Sequence, residues 1–377
     1  MSEDTNKSSD RLISLDVFRG ITVAGMVLVN NPGNWSAVYA PLEHAAWNGW
    51  TPTDLIFPFF LFIVGISISL ALGRRVEQSA VNRDVYLKIF RRSAIIFALG
   101  LFQMAFPFFD LAHLRFPGVL QRIAVCYLIS SLIFLHTNWK QQIFIIVGCL
   151  LFYWLMMTLV AVPGGVAGDL TPAGNFAGYI DRLVIGQNHM YAASKFFDPE
   201  GIFSTIPAIA TCLAGVLTGT WLKTRRNDLE KVSAVFFFGT ALTAIGWIWN
   251  FWFPINKSLW TSSYTIFTAG LALCFFGFCY WLIDIKNYRK WAKPFIIFGS
   301  NALTLYFCSS IFARIMNNIS WNLPDGTVMN VQSWIFKTCF APLASPFNAS
   351  LIYSVSYIFL WLFLMWLLYR KRIFVKV

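Results

Sequence analysis

The sequence predicts an all-α polytopic membrane protein with about ten transmembrane helices and with both termini in the cytoplasm. Three observations support this fold class. Of the 377 residues, 57% are hydrophobic and only 12% are charged, a composition that excludes an ordinary soluble domain. Apolar runs of roughly 20 residues, the length that crosses a hydrocarbon core of about 30 Å, recur along the chain. Lysine and arginine are concentrated in alternate connections between these runs.

Ten apolar runs separated by charges, proline or glycine predict the spans, because a helix satisfies its own backbone polar groups as a bilayer requires. The predicted spans cover residues 17–29, 53–72, 89–109, 119–135, 143–162, 202–222, 232–253, 259–283, 295–315 and 351–369. The run at residues 331–343 is too short and too interrupted to span, so we interpret it as interfacial or re-entrant.

The basic residues orient these predicted helices. With the N-terminus inside, most of the 29 lysines and arginines fall in inner connections, as the positive-inside rule requires. The net charge of +12 therefore reflects membrane orientation and does not indicate a nucleic-acid partner. The basic inner surface suits anionic membrane lipid or a phosphorylated cofactor.

The N-terminal residues and the cysteines complete the predicted organisation. Residues 1–10 are polar and are predicted to form a disordered tail rather than a cleavable signal peptide. Residues 11–377 are predicted to form a single transmembrane domain. The seven cysteines lie mostly within apolar spans and lack close pair spacing, which is typical of packing residues rather than of disulfides or metal ligands.

The connection between the first two spans, at residues 30–58, holds the most unusual polar chemistry. It includes His44, one of only four histidines in the chain. A loop histidine is either a surface residue or, beside aromatic and amide side chains, a general base. Trp47 and Asn48 supply such an aromatic platform and amide, as sugar-binding sites often do.

Asn30 and Asp54 in the same connection each have two interpretations. Asn30 precedes Asn-Pro-Gly, so it either ends the first helix or donates its amide to a developing oxyanion. Asp54 begins the second helix, where it is either a cap favoured by the helix dipole or the carboxylate that orients an imidazole.

Charged residues near two other spans are also candidates. Arg19, three residues after Asp16, either anchors the first helix at the membrane edge or faces the bundle interior and meets an anionic ligand. Arg122 follows Gln121 just past the start of the fourth span. A buried arginine there is costly without an anionic partner, so we predict a functional role for it.

The outer connections hold further charges. Asp198 and Glu200 precede the sixth span, where they either complement the helix dipole or attract a cationic substrate. Asn256 and Lys257 precede the eighth span on the same side. The connection at residues 163–199 is long enough to form a lid or a substrate loop.

Six segments that follow one another in a fixed order resemble a known family. They are Leu15-Asp16-Val17-Phe18-Arg19-Gly20 with the helix end at Asn30, His44-Ala45-Ala46-Trp47-Asn48-Gly49, Asp54-Leu55-Ile56-Phe57-Pro58, Pro117-Gly118-Val119-Leu120-Gln121-Arg122, Asp198-Pro199-Glu200-Gly201 and Asn256-Lys257-Ser258-Leu259-Trp260. Over about residues 11–316 this pattern resembles the heparan-alpha-glucosaminide N-acetyltransferases, as a compact bacterial-type member.

The resemblance implies a transmembrane N-acetyltransferase that moves an acetyl group from cytosolic acetyl-CoA to the amino group of a glucosamine-type sugar on the outer face. It implies that His44 is the active-site histidine and Asn30 its partner. The large luminal domain that precedes the first matched helix in the family has no counterpart in this sequence. We therefore expect a small amino sugar or a cell-envelope glycan fragment as the acceptor, at a bacterial cytoplasmic (inner) membrane.

These considerations give one functional hypothesis. We assign His44 as the base, Asp54 as its orienting carboxylate and Asn30 as the oxyanion donor. Basic and polar groups within the spans are assigned to the phosphates of acetyl-CoA: Arg19, Gln121 and Arg122. The acceptor is assigned to Trp47, Asn48, Asp198, Glu200, Asn256 and Lys257. Direct transfer, an acetyl-histidine intermediate and a homodimeric assembly all stay open.

The alternative hypothesis is a permease for an N-acetylglucosamine-type sugar. A permease would use the same tryptophans and asparagines, but it needs neither Arg122 nor a titrating base. An inactive scaffold is disfavoured because so many polar groups lie in apolar surroundings.

Overall fold

The computed structural model describes residues 12–78 and 80–375, which form a helical bundle with one small hairpin. The predicted disordered tail, residues 1–10, lies outside the described residues. The helices are α1 Ile13–Asn30, α2 Ile56–Glu77, α3 Arg83–Ala105, α4 Val119–His136, α5 Trp139–Leu159, α6 Phe176–Ile185, α7 Thr205–Leu222, α8 Asp228–Trp249, α9 Ser262–Cys279, α10 Lys293–Ser300, α11 Ala302–Asn318, α12 Val331–Ile335 and α13 Pro346–Arg370. The hairpin pairs β1 Ser320–Asn322 with β2 Val328–Asn330 in antiparallel fashion.

The predicted all-α membrane fold is confirmed. Within the described residues eight helices are long and apolar enough to cross a membrane, or nine if α10 and α11 count as one span bent by 71°. Each of the ten predicted spans contains a helix. The third predicted span corresponds to α3. The first half of α3 carries five charged residues, so α3 is not among the eight helices that are apolar enough to cross a membrane. The run at residues 331–343 forms three short helical segments, and its interfacial or re-entrant position stays a prediction.

The predicted alternation of the connections is visible in the contacts between them. At one end of the bundle Gly49 donates its backbone N–H to Ile255 at 2.8 Å, and Arg115 pairs with Asp198. We call this the His44 end. At the opposite end, Lys223 after α7 pairs with Glu77 of α2 at 2.9 Å. Trp47 also donates to Leu170, so the connections after α1, α3, α5 and α8, which the sequence placed outside, meet at the His44 end.

Helices α2 and α7 pack with their backbones in close contact at the centre of the bundle. A Cβ atom on Gly65 would lie 1.9 Å from the carbonyl oxygen of Cys212, and one on Gly215 would lie 2.0 Å from that of Phe62. Small residues allow this approach, which is a common way to associate helices in a membrane. The contact fixes the start of α2 beside the loop that leads into α7.

The connection at residues 163–199, predicted as an irregular lid or substrate loop, contains the ten-residue helix α6. Asn175 caps α6 by accepting a hydrogen bond from the backbone N–H of Gly178. Asp181 of α6 in turn accepts from the N–H of Ile202 at 2.8 Å. These bonds attach the connection to the segment that precedes α7.

Candidate active site

The start of α2 is built around the Asp54 carboxylate. One of its oxygens accepts the backbone N–H groups of Thr51 and Ala45, each at 3.0 Å. The hydroxyl of Thr51 donates to the carbonyl of Glu43 at 2.6 Å. This reciprocal capping explains why Thr-Pro-Thr-Asp opens a helix here, and it curls residues 43–51 over the helix end. Asp54 is 1% exposed.

The second oxygen of Asp54 faces His44. Nδ1 of His44 lies 2.6 Å from Oδ1 of Asp54, while the imidazole side chain is 53% exposed. An ionised carboxylate only accepts hydrogen bonds, so Nδ1 carries the proton in this pair and Nε2 is left as a proton acceptor. This is the arrangement of a general base oriented by a carboxylate.

Lys257 completes the cluster from a different part of the chain. Its Nζ lies 2.9 Å from Nδ1 and 3.1 Å from Nε2 of His44, and 3.5 Å from Oδ1 of Asp54. The lysine side chain is only 19% exposed. Burial lowers the pKa of Lys257, and the negative charges of Asp54 and Glu200 offset only part of this effect. A lysine amine with a lowered pKa therefore lies against the imidazole.

The loop that carries Lys257 is held against the loop that carries His44. Asn256 is buried; its side-chain N–H donates to the Asn48 side chain at 3.2 Å, and its Oδ1 accepts from the backbone of Leu259 at 2.9 Å. The structure thus brings together two residues assigned to the acceptor, Asn48 and Asn256. Their amides hold the two loops in register with each other.

Two aromatic side chains, Tyr264 and Trp47, hold residues of the His44 loop and of the start of α2 by hydrogen bonds. The Tyr264 hydroxyl, fully buried, donates to the backbone carbonyl of Asp54 at 2.5 Å. The Trp47 indole N–H donates to the carbonyl of Leu170 at 3.0 Å, and its ring makes an edge contact with Phe197. Sequence analysis did not identify Tyr264, because a tyrosine within an apolar span gives no functional signal.

The two acidic residues before α7 are paired with an arginine. Arg115 bridges Asp198 through two nitrogens, at 2.8 and 2.5 Å, and reaches Glu200 at 2.6 Å. Burial alone lowers the pKa of Arg115, but the two carboxylates outweigh burial and raise it. Neither acid is therefore a free charge awaiting a cation, and their assignment to the acceptor stays a prediction. The signal that was missed is Arg115 itself, a cation in another connection that the sequence places on the same side of the membrane.

Arg122 is buried and engages the same loop. Its guanidinium donates to the carbonyls of Pro199 and Gly201, both at 2.8 Å, and to the hydroxyl of Ser204. Its carbon Cζ lies 5.1 Å from the centre of the Trp260 ring. The predicted phosphate contact of Arg122 remains a prediction, since its terminal nitrogens here bind backbone oxygens that fix the 199–204 loop.

The other two predicted cofactor residues lie in different surroundings. Both polar atoms of the Gln121 side chain are buried without a hydrogen-bond partner in the described part of the chain. Arg19 pairs with Asp16 at 3.1 Å and donates to the Ser67 hydroxyl at 2.9 Å, with 23% of its side chain exposed. Arg19 lies toward the opposite end of the bundle, two turns into α1.

Asn30 is the last residue of α1 and is exposed. Earlier in α1, a Cβ atom on Gly25 would lie 3.4 Å from the Ile56 side chain, which places the end of α1 beside the start of α2. Asn30 stands about 7 Å further along the helix axis, at the His44 end. Among the described residues its side chain makes no hydrogen bond with His44, so its catalytic role stays a prediction.

The described residues hold no group of three histidine, cysteine or acidic side chains arranged for a metal ion. The seven cysteines are unpaired in the structure, and Cys126, Cys212 and Cys279 are buried.

Comparison with known proteins gives a consistent family match. A family model described as heparan-alpha-glucosaminide N-acetyltransferase, catalytic, matches residues 11–249. The human heparan-alpha-glucosaminide N-acetyltransferase is 30% identical over 97% of this chain, and the mouse protein of that name is 28% identical over 100% of it. The chain spans 60% and 62% of the length of these two relatives. His44 and Asp54 lie inside the matched range, whereas Lys257 lies beyond it.

Proposed function

This chain belongs to the heparan-alpha-glucosaminide N-acetyltransferase family, and we propose that it transfers an acetyl group from acetyl-CoA to the amino group of a glucosamine-type sugar. The protein is an integral membrane protein, and the proposed membrane is a bacterial inner membrane. The proposal rests chiefly on one observation, the 2.6 Å contact between the His44 imidazole and the buried Asp54 carboxylate.

The proposed reaction begins with the acceptor amine. An amino sugar is largely an ammonium ion near neutral pH, and it cannot attack a thioester until it is deprotonated. The ammonium first releases one proton to solvent, which leaves a neutral amine. As the N–C bond forms, Nε2 of His44 accepts a second proton from the amine nitrogen, while Asp54 stabilises the resulting imidazolium. When the tetrahedral intermediate collapses, the C–S bond breaks and His44 returns the proton to the departing sulfur. General base help of this kind is worth roughly 10²- to 10⁴-fold in rate.

The acetyl donor is proposed to reach this base along the bundle. Arg19 lies toward the end of the bundle that carries most of the basic residues, where phosphate groups would be attracted. Gln121, with its buried and unpaired amide, can satisfy an amide group of the donor chain. Asn30, at the outer end of α1, is proposed to donate to the developing oxyanion. Arg122 is proposed to act chiefly by holding the 199–204 loop.

The acceptor is proposed to bind where the loops of His44 and Lys257 meet. Trp47, three residues after His44, offers an aromatic ring held by its bond to Leu170, and Asn48 and Asn256 offer amides within the same loop pair. Glu200 is close enough to Lys257 for its charge to raise the lysine pKa. Because Glu200 is itself paired with Arg115, a contact between Glu200 and the acceptor ammonium is part of the proposal. We propose that the acceptor is a single amino sugar.

The test uses the purified protein in lipid nanodiscs with acetyl-CoA and glucosamine. We expect CoA thiol to be released in proportion to N-acetylglucosamine formed, and we expect His44→Ala to abolish both. His113→Ala is the matched control, since His113 also pairs with an aspartate, Asp110 at 2.8 Å, but both side chains are exposed. Uptake of labelled sugar into vesicles without acetyl-CoA, unchanged in His44→Ala, would support the permease instead.

A further inference from the structure

The ε-amine of Lys257 is placed where the acceptor amine has to be placed. It is a primary amine on a saturated carbon, the same chemical class as the amine of a glucosamine-type acceptor. Its nitrogen lies 2.9 and 3.1 Å from the two ring nitrogens of His44. A general base takes a proton from a group at about 2.6–3.2 Å, so Lys257 already meets the distance required of the acceptor.

The surroundings of Lys257 favour reactivity over simple charge pairing. Asp54 lies 3.5 Å away, longer than a close ion pair, and its carboxylate is already shared with His44 and two backbone N–H groups. Burial increases the share of uncharged amine relative to a lysine in water. Only an uncharged amine is a nucleophile.

We propose that Lys257 is a self-acetylation site, modified by the acetyl donor when no sugar occupies the acceptor position. This inference rests on the proposed function. The ammonium first releases one proton to solvent. The Nζ atom then attacks the thioester carbonyl carbon, His44 accepts the second proton, the C–S bond breaks, and CoA leaves as the thiol with the proton that His44 returns. The product is N-acetyl-lysine at position 257, and no oxidant or reductant is needed.

Acetylation would change the site in two ways. The amide that forms is neutral, so the contact with Asp54 loses its ionic character, and the added acetyl group occupies space beside His44. An amide is also far more stable than an acyl-imidazole. The modified enzyme therefore stays inactive, and a bound acceptor sugar protects it because the sugar amine takes the acetyl group first.

The chain provides a matched control lysine. Lys223 has almost the same exposure, 22% against 19% for Lys257, and it pairs with a carboxylate, Glu77, at 2.9 Å. It lies at the opposite end of the bundle and has no histidine partner among the described residues. Any difference in acetylation between the two lysines therefore reports on the imidazole and the donor site rather than on exposure.

The experiment incubates the nanodisc protein with isotope-labelled acetyl-CoA, without sugar, and quantifies acetylation of each lysine by peptide mass spectrometry. We expect Lys257 to be labelled at least about tenfold faster than Lys223, and glucosamine to suppress the labelling of Lys257 only. We expect His44→Asn to slow it by at least about tenfold, within the range of general base catalysis. Treatment with hydroxylamine separates the stable lysine amide from any acetyl-histidine.

A second measurement does not depend on CoA. A small activated acetyl ester, given alone to the protein, should label Lys257 faster than Lys223 in the native protein. This advantage of Lys257 should be clearly smaller in His44→Asn, which keeps the burial of Lys257 but lacks the base. The inference is overturned if sugar is acetylated normally while Lys257 and Lys223 are labelled equally slowly. If neither sugar nor Lys257 is acetylated by acetyl-CoA although the activated ester labels Lys257, the proposed function has failed and the reactive lysine stands.

Discussion

The Asp54 carboxylate holds the His44 imidazole with one oxygen and the backbone N–H groups that shape the His44 loop with the other. A single buried side chain therefore sets both the position of the loop and the orientation of its ring. The two roles of Asp54 can be separated by experiment. An amide at position 54 can still accept the backbone hydrogen bonds of the loop, but it cannot stabilise a protonated imidazole.

Asp54→Asn keeps the size of the side chain but removes the charge that stabilises an imidazolium. We expect kcat for acetyl transfer to fall by about 10²- to 10⁴-fold, as when the carboxylate of a catalytic triad is replaced, with little change in KM. Steady-state kinetics with acetyl-CoA and glucosamine measure this. Asp110→Asn removes the carboxylate of the exposed Asp110–His113 pair and should leave kcat unchanged. A loss of less than threefold in Asp54→Asn would contradict the role of Asp54.

Asp198→Ala should destabilise the fold rather than only weaken substrate binding. It removes the two charge-assisted hydrogen bonds between Asp198 and the largely buried Arg115, each worth about 1.5–3 kcal/mol, and leaves Glu200 as the remaining acidic partner of Arg115. Thermal unfolding of the detergent-solubilised protein should show a clear decrease in Tm. The control is Glu230→Gln, which breaks the exposed Arg226–Glu230 pair at 3.6 Å and should have almost no effect. An unchanged Tm in Asp198→Ala would leave the acid free for a substrate role.

The buried Asp181 should make the stability of the folded protein depend on pH. Burial raises the pKa of Asp181 to about 6, because its hydrogen bonds from Ile202 and Phe203 only partly compensate. The folded state then binds a proton that the unfolded state releases, so the contribution of Asp181 to stability decreases as pH rises from about 4 to about 6. Asp181→Asn should remove this contribution, worth up to about 3 kcal/mol.

Tm measured at pH 4.5 and at pH 6.5 tests the Asp181 prediction. The variant should gain stability relative to the native protein at both pH values, and clearly more at pH 6.5 than at pH 4.5. Asp169→Asn, in the same connection, is the control of opposite sign, since hydrogen bonds from Thr171 lower the pKa of Asp169. Parallel pH profiles in native protein and Asp181→Asn would rule out the prediction.

Gly65→Ala tests the close packing of α2 on α7. The added methyl group would meet the Cys212 carbonyl oxygen at 1.9 Å, and overpacking of this kind costs about 1–3 kcal/mol. Gly148→Ala in α5 places a methyl group where no atom lies within 4 Å, so it should be neutral or slightly stabilising. The two variants are compared by thermal unfolding and by acetyltransferase activity. Equal stability of the two would refute the packing described for α2 and α7.

The local part of the site could be predicted from the sequence because it lies within one connection. His44 and Asp54 are ten residues apart, and a turn followed by a helix start brings them together. The break between α10 and α11 could not be predicted. The apolar run at residues 295–315 continues through Ser300 and Asn301. At the bend, Asn301 donates to the Ile373 carbonyl and accepts from the Val375 N–H, contacts with a segment that lies far away in the sequence.

The sequence by itself determined the membrane class, the helices and the residues that carry unusual chemistry, since hydropathy and local capping depend only on neighbours along the chain. The tertiary structure alone decided which of those residues meet. Lys257 contacts His44, which lies 213 positions away in the sequence. Arg115 pairs with Asp198 and Glu200, the two acids that were predicted to bind a substrate. Such contacts depend on how the helices pack and on which buried charges the packing brings together. These are properties of the whole bundle, and no single segment encodes them.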